Sequence, residues 1–210
     1  TSFGTLVINK AQASAEFSGN PSYTYTGSPN SDYLNGFSIK LNEPNNPTYN
    51  LVAGDIEFNV DGTWTTAVPI NVGQYEVRLS QAGLDHIKEI NSDNVTWSPT
   101  ASAGTGTYTI MAASANTQLS GHNSMVYNGN SVTTADLYTD GSTIKVAISG
   151  NNIVNLPSSF TLEDGDYTWN TQDGKAPVNA GNYSLTLSSA GLDKIQAAID
   201  KAVGKGNVIL

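Results

Sequence analysis

Hydrophobic and polar residues alternate along two well-separated stretches of the chain, and the alternation predicts a β-strand in each. Apolar side chains occupy every second position of these stretches: Tyr75, Val77 and Leu79, then Tyr183, Leu185 and Leu187. A period of two residues is typical of a strand with one buried and one solvated face. We therefore expect both tyrosines to belong to buried faces.

Directly after each strand the apolar spacing changes to that of an amphipathic helix. The spaced apolar residues are Leu84, Ile87 and Ile90 in the first stretch and Leu192, Ile195, Ile199 and Val203 in the second. Residues three or four apart share one face of a helix. Ser188 or Ser189 is a suitable N-cap for the second helix, and Gly204 is a suitable stop.

Shorter apolar runs predict further strands at 5–11, 22–26, 37–41, 55–60 and 95–98, and again at 107–112, 125–127, 143–148, 167–170 and 208–210. Each half of the chain is then a mainly antiparallel sheet with one helix packed on a face, which is a β-rich α+β fold. A β-grasp-like topology fits this order. An immunoglobulin-like sandwich with an inserted helix is the alternative.

An internal repeat organises the whole chain. Residues 69–87 match residues 177–195 at eleven of nineteen positions. Shorter matches join 4–8 to 106–110, 17–19 to 119–121, 25–27 to 127–129, 39–41 to 144–146, and 54–55 to 165–166. The offset drifts at 42–50 and 150–159, which are rich in Asn, Pro, Ser and Gly and indicate surface loops. We predict two tandem modules, residues 1–112 and 113–210.

The run Gly-Thr-Tyr-Thr-Ile at 106–110 bears on where a module begins. It closes the first repeat and also resembles residues 4–8 before that repeat, whereas no such run follows the second helix. We interpret the module as beginning with this strand, and the chain as a fragment of a longer protein.

Composition narrows the classes of partner. The chain has 9 basic and 18 acidic residues, for a net charge of −9. Phosphate backbones and anionic lipid headgroups repel such a surface, so nucleic acid and membranes are not expected partners. No apolar run is long enough for membrane insertion. The 210 residues include no cysteine, which favours a bacterial surface protein over a disulfide-bonded animal module.

Several motifs together resemble a known family. They are Tyr-x-Gly at 25–27 and 127–129, Pro-Val-Asn-Ala-Gly-Asn-Tyr-Ser-Leu-Thr-Leu at 177–187, Ala-Gly-Leu-Asp-Lys-Ile at 190–195, and the Gly-Thr-Tyr-Thr-Ile run. The chain resembles the MBG-type repeats of wall-anchored surface adhesins of lactobacilli and other Gram-positive bacteria, which are similar to mucus-binding proteins. The resemblance implies an extracellular, wall-attached adhesin region with mucin glycans or matrix proteins as ligands, and it implies no catalytic residues.

Two other functions stay open at this point. Tandem repeats that conserve structural residues also suit a stalk that binds nothing beyond neighbouring repeats and projects a distal domain. The third hypothesis is an accessory module of an extracellular carbohydrate-active enzyme. We predict that the chain itself is not an enzyme, with no catalytic, cofactor-binding or metal-binding residues and with its ligand-binding residues unassigned.

The ionisable residues give little indication of a catalytic or metal-binding site. The only histidines, His86 and His122, match non-histidine positions of the other repeat, and a triad or zinc site needs convergent ligands. Glu163, Asp164 and Asp166 carry oxygen ligands that Ca²⁺ accepts. The first repeat keeps only Asp55 of this set, so we interpret the cluster as a solvated acidic turn.

A covalent lysine–asparagine crosslink between strands is a further hypothesis with little support. Lys40 matches Lys145 and Asn71 matches Asn179, but no matched acid lies on a strand beside them.

Aromatic side chains offer flat faces on which sugars stack, although most are expected to pack in the core. The candidates are Tyr23, Tyr25, Tyr33, Trp64, Trp97, Tyr127, Tyr138 and Trp169.

Overall fold

The computed structural model describes residues 3–99, 103–150 and 152–210. The chain divides into two compact units, Thr1–Met111 and Ala112–Leu210. Both units combine short strands with an amphipathic helix, so the predicted β-rich α+β class in two modules is confirmed. No helix within the described ranges is both long and apolar enough to cross a bilayer.

The strands of the first module belong to two sheets. In chain order its elements are β1 (Ala11–Gly19), β2 (Ser22–Thr24), β3 (Phe37–Asn42), β4 (Ile56–Val60), β5 (Thr63–Thr65), β6 (Gly73–Leu79), α1 (Gln81–Glu89), β7 (Val95–Trp97) and β8 (Gly106–Met111). One sheet has the order β3-β1-β7 and the other β2-β8-β6-β4-β5. The pairs β1–β7 and β2–β8 are parallel, whereas the sequence predicted one mainly antiparallel sheet.

The core of the first module is made by alternate strand residues. Phe58 and Val77 are fully buried on neighbouring strands, and Ile87 of α1 is buried as well. Tyr108 of β8 is also fully buried, with its ring 5.3 Å from that of Phe58. A Cβ atom on Gly106 would collide with the carbonyl oxygen of Gly19, so β8 approaches β1 closely enough to require glycine there.

A tight hairpin joins β4 to β5. Asp61 and Gly62 form its two-residue loop with φ values of 50° and 84°. Positive φ at both loop positions is the pattern of a type I′ turn, whose twist matches that of the flanking strands. The turn sets Trp64 opposite Asn59 on β4.

The second module has the same frame with shorter strands. Its elements are β9 (Ala113–Ser114), β10 (Asn116–Ser120), α2 (Thr134–Leu137), β11 (Lys145–Ser149), β12 (Tyr167–Trp169), β13 (Leu185–Leu187), α3 (Ser189–Val203) and β14 (Val208–Ile209). They form three pairs, β9–β14, β10–β11 and β12–β13. β9 and β14 are parallel, as β1 and β7 are in the first module.

Helix α3 begins and ends at the residues that the sequence predicts. The side chain of Ser188 accepts a hydrogen bond from the Gly191 amide, and Gly204 ends the helix with φ of 90°. Ile195 and Ile199 are fully buried, whereas Leu192 keeps 39% of its surface exposed. A buried cluster of Leu137, Leu162 and Tyr167 packs against partly buried strand residues such as Val146 and Leu185.

Several local predictions were wrong. Residues 3–10 lie outside the strands, and the first strand begins only at Ala11, where alternating small residues pack inward. Residues 125–127 also lie outside the strands, and Tyr183 is 39% exposed instead of belonging to a buried face. The run at 106–110 pairs with β2 and β6 of the first module, so it closes that module and does not open the next one.

Candidate functional site

A buried aspartate lies just before β4 in the first module. The Asp55 side chain is 0% exposed. Its carboxylate accepts hydrogen bonds from the Val52 amide at 2.8 Å and the Tyr49 hydroxyl at 2.7 Å, and its Oδ1 lies 2.8 Å from His86 Nδ1. Burial, and then the bond to this carboxylate, raise the pKa of Tyr49, so its hydroxyl stays a donor. Burial of a carboxylate is unfavourable without such partners.

Asp166 occupies the matching place in the second module. Its side chain is 11% exposed and accepts hydrogen bonds from the Glu163 amide at 2.7 Å and Lys194 Nζ at 2.9 Å. Partial burial lowers the pKa of Lys194, but its hydrogen bonds to Asp166 and Glu163 outweigh this and leave the pKa raised. Lys194 matches His86 in the repeat, so each module places a nitrogen-bearing side chain of its helix against the aspartate.

The same turn holds the start of the helix. The Ser80 amide donates to the Asp55 carbonyl at 2.8 Å, and the Ser80 hydroxyl donates to the Gly54 carbonyl at 2.5 Å. The Ser80 hydroxyl oxygen accepts from the Gly83 amide at 3.1 Å. The second module repeats these contacts with Ser188, Asp166, Gly165 and Gly191.

Glycine is required where the helix meets this turn. A Cβ atom on Gly83 would collide with the carbonyl oxygen of Asp55, and one on Gly191 would collide with that of Asp166. The residues shared by the two repeats therefore build a joint between a turn and a helix. These residues stabilise the contact between turn and helix in both modules.

The acidic cluster of the second module is occupied by protein groups. Lys194 contacts Asp166 and Glu163, and Asp164 accepts a hydrogen bond from the Thr134 hydroxyl. In the part of the chain that the structure describes, no group of three His, Cys, Asp or Glu side chains is arranged to hold a metal ion. The prediction of a solvated acidic turn was wrong for Asp166, which is buried and ion-paired.

The remaining candidate residues either lie on the surface or stabilise turns. His122 is exposed, with Nδ1 3.2 Å from the Thr143 hydroxyl. Lys40 and Lys145 are exposed, so neither has the buried setting that a lysine–asparagine crosslink needs. The carbonyls of Asn71 and Asn179 accept hydrogen bonds from the hydroxyls of Tyr75 and Tyr183, at 2.8 and 3.0 Å.

Most of the aromatic candidates are structural. Tyr25 is buried, Tyr33 packs on Phe58, and Trp169 packs on the rings of Tyr167 and Tyr183. Three others make hydrogen bonds with the backbone: Tyr23 to the carbonyls of Asp32 and Asn35, Trp97 to the carbonyl of Ile90, and Tyr138 from the amide of Leu162. Trp64 and Tyr127 differ from these six aromatic residues. Trp64 contacts a charged side chain, and Tyr127 is 63% exposed.

Trp64, Arg78 and Glu57 form a small polar and aromatic cluster on the first module, which we call the Trp64 surface. The Arg78 guanidinium carbon lies 3.9 Å from the centre of the Trp64 ring, and Arg78 Nε donates to Glu57 Oε1 at 2.7 Å. Stacking and pairing hold the guanidinium plane in one orientation. Trp64 was a candidate from the sequence but Arg78 was not, because the hairpin and the strand pairing that bring them together were not predicted.

An open cleft of about 680 Å³ lies in the second module. Its apolar lining includes Trp169, Tyr183 and Leu185, and Tyr127 lies at the same opening. The volume is within the range of binding pockets, roughly 300–1,000 Å³. Nothing in the sequence indicated this cleft. Tyr127 and Tyr183, which line it, were considered there only as a possible sugar-stacking residue and as a strand residue.

Comparisons with known proteins place the chain in a family. Among solved structures, a cell surface adhesin from Lactobacillus reuteri is similar over 46% of this chain and 93% of its own, with 23% identity and a TM-score of 0.35. No curated protein sequence matches the chain. The MBG domain matches twice, over residues 12–112 and 114–208, which together include nearly the whole sequence. The chain therefore belongs to the MBG domain family and contains two tandem copies of that domain.

Proposed function

We propose that this chain is a non-catalytic repeat region of a cell-surface adhesin, displayed outside a Gram-positive bacterium and attached to its wall, with modules at 1–112 and 113–210. Membership of the MBG family over both repeats supports this function. The acidic, cysteine-free composition agrees with an extracellular position.

The observation that carries the proposal is the contrast between shared and differing residues. The shared Asp, Ser and Gly residues hold a turn against a helix, as described above. Groups on the outer face differ: β4 and β6 pair the partly exposed Glu57 and Arg78, whereas β12 and β13 pair Thr168 with Thr186 at the corresponding register. A fold kept constant beneath a varied surface suits repeats that bind through that surface.

We assign the contact with host glycans to the Trp64 surface. An indole ring offers a flat apolar face to a sugar ring, and a fixed guanidinium donates several hydrogen bonds to hydroxyl or carboxylate oxygens. Arg78 is 30% exposed and Glu57 19% exposed, so both side chains remain within reach of a ligand. Mucin glycans, which carry acidic sugars, fit this chemistry, and acidic matrix proteins are the related alternative.

The test measures binding of the 210-residue chain to immobilised mucin. We expect Trp64→Ala and Arg78→Ala to weaken binding at least tenfold, and Arg78→Lys to weaken it less. Asp85→Ala is the control, because it removes an exposed side chain of the same module that belongs to no candidate site. Unchanged binding by both Trp64→Ala and Arg78→Ala, with thermal unfolding like that of the wild type, would remove this assignment.

A spacer function is the second candidate, and one observation favours it. A single residue, Ala112, separates the last strand of the first module from the first strand of the second. Such a short connection suits modules repeated in series to project a distal domain. Absence of binding to mucin, isolated glycans and matrix proteins would select the spacer over the adhesin.

A further inference from the structure

We propose that the Trp64 surface selects glycans that end in a single carboxylate-bearing sugar, and that it rejects neutral and polysulfated glycans. This inference rests on the proposed function, because it names the class of sugar that the same surface contacts. It is carried by the guanidinium that covers the indole, by the donors of that guanidinium that have no protein partner, and by the two carboxylates that flank it.

The guanidinium of Arg78 covers one face of the Trp64 ring. Its central carbon lies 3.9 Å from the ring centre. An uncovered ring face would be sufficient for stacking with a neutral sugar. A ligand that approaches from the covered side meets N–H donors and a positive charge instead. The position of the guanidinium therefore favours a sugar that carries an anionic group.

The hydrogen bonds of Arg78 define how an anion can approach. Its Nε donates to Glu57 Oε1 at 2.7 Å, and among the described residues this guanidinium forms no other hydrogen bond or ion pair. The two Nη groups remain available as parallel donors on a side chain that is 30% exposed. Parallel donors of this kind bind the two oxygens of a carboxylate. A sulfate ester spreads its charge over three oxygens, so each of them is a weaker acceptor.

Carboxylates on both sides limit how much negative charge the ligand can carry. Glu57 contacts Arg78 directly, and Glu76 lies two residues before Arg78 on the same face of β6, about 7 Å away along the strand. A polyanion binds through several cations at once. This surface offers one cation between two carboxylates, so a polysulfated chain would gain one contact and meet two like charges.

The net charge of −9 does not oppose a single carboxylate at this place. At physiological ionic strength, exposed charges more than about 8 Å away are largely screened. The groups that decide the interaction are therefore the adjacent ones, and the Nη groups of Arg78 are the nearest donors to an approaching ligand.

The second module has none of these charges. Thr168 and Thr186 stand at the positions of Glu57 and Arg78, and a serine stands at the position that matches Glu76. We therefore expect one carboxylated sugar to bind per chain, on the first module.

The test follows the indole N–H signals of the full chain by NMR as a sugar is added. The chain has three tryptophans, and the signal that disappears in Trp64→Phe belongs to Trp64. Sialyllactose, which carries one carboxylate, should shift this signal and leave those of Trp97 and Trp169 in place. Its methyl ester should bind about tenfold more weakly, because the charge-assisted hydrogen bonds are lost. Sulfated lactose should also bind more weakly than sialyllactose, and lactose should cause no shift.

A pair of charge reversals tests the flanking carboxylate. Glu76→Lys places a second cation near Arg78, so this variant should bind heparin, a polysulfated glycan, at physiological salt, whereas the wild type should not. Glu89→Lys is the matched control. It changes the net charge by the same amount at an exposed position of α1, outside the sheet, and should leave heparin unbound.

Several results would overturn the inference. They are equal affinity for sialyllactose and its methyl ester, equal or tighter binding of sulfated lactose, heparin binding by the wild type or equally by both lysine variants, and a shift of the Trp169 signal in place of that of Trp64. If Trp64→Ala nevertheless abolishes binding to mucin, the proposed function stands and only the class of sugar is wrong. If no sugar shifts the Trp64 signal and mucin is not bound either, both proposals fail.

Discussion

Replacement of Asp55 by alanine is the sharpest test of the turn–helix joint. The carboxylate has no exposed surface and three hydrogen-bond partners, the Val52 amide, the Tyr49 hydroxyl and His86 Nδ1. Alanine removes all three bonds at once. The bonds from the Ser80 amide to the Asp55 carbonyl and from the Ser80 hydroxyl to the Gly54 carbonyl do not involve the carboxylate and stay available.

The expected loss of stability follows from these partners. A hydrogen bond to a charged group contributes roughly 1.5–3 kcal/mol net. His86 is 47% exposed, so its ring regains water as a partner after the substitution, and the three contributions do not add in full. We expect a loss of about 3 kcal/mol, chiefly because the Val52 amide and the Tyr49 hydroxyl lose a charged acceptor. For a module of this size that corresponds to a fall in Tm of roughly 12–24 °C.

Calorimetry of the full chain measures this loss. Asp85→Ala is the matched control, because Asp85 lies on the exposed face of α1 with a side chain 55% exposed, and its loss should change stability by less than about 0.5 kcal/mol. A cost below about 1 kcal/mol for Asp55→Ala would mean that the carboxylate does not hold this turn, since the loss of three partners of a buried carboxylate should cost more.

Three further predictions concern the same frame. Gly191→Ala should lower stability in urea by about 2 kcal/mol, although alanine favours a helix by about 1 kcal/mol over glycine, because its Cβ would collide with the Asp166 carbonyl. His86→Lys should stay within about 0.5 kcal/mol of the wild type in the same assay, since Lys194 fills that place in the second module, whereas His86→Ala should lose about 1 kcal/mol. Burial raises the pKa of Tyr108 to about 12, so the folded state holds this proton more tightly than the unfolded chain. The stabilisation is present below pH 10 and is lost as the pH rises to 12; Tyr108→Phe should lack this loss in alkaline unfolding and match or exceed wild-type stability at neutral pH.

Helices α1 and α3 and the strand before each were predictable because their signals are local, whereas the short helix α2 was not predicted. Period-two alternation at 73–79 and helical spacing after Ser188 need no knowledge of partners, and both elements form as expected. The predicted strands at 5–11 and 125–127 failed for the opposite reason. Their residues have strand-forming sequences, but a strand also needs a neighbouring backbone, which composition cannot reveal.

The buried aspartates were missed because a single acidic residue usually lies on the surface. The signal that could have found them was the Gly-Asp pair repeated at 54–55 and 165–166, together with an ionisable residue at the matched helix position, His86 or Lys194. Two copies that keep an acid and a facing basic side chain indicate a fixed contact. The cleft could not be predicted, since it depends on which strand occupies which sheet.

Removal of the sugars from the ligand tests whether this region contacts host glycans. The measurement compares equilibrium binding of the 210-residue chain to native mucin with binding to the same mucin after its glycans have been cleaved off. We expect saturable binding to native mucin and at least a tenfold weaker signal after cleavage. Equal binding to both surfaces, or to neither, would contradict this expectation.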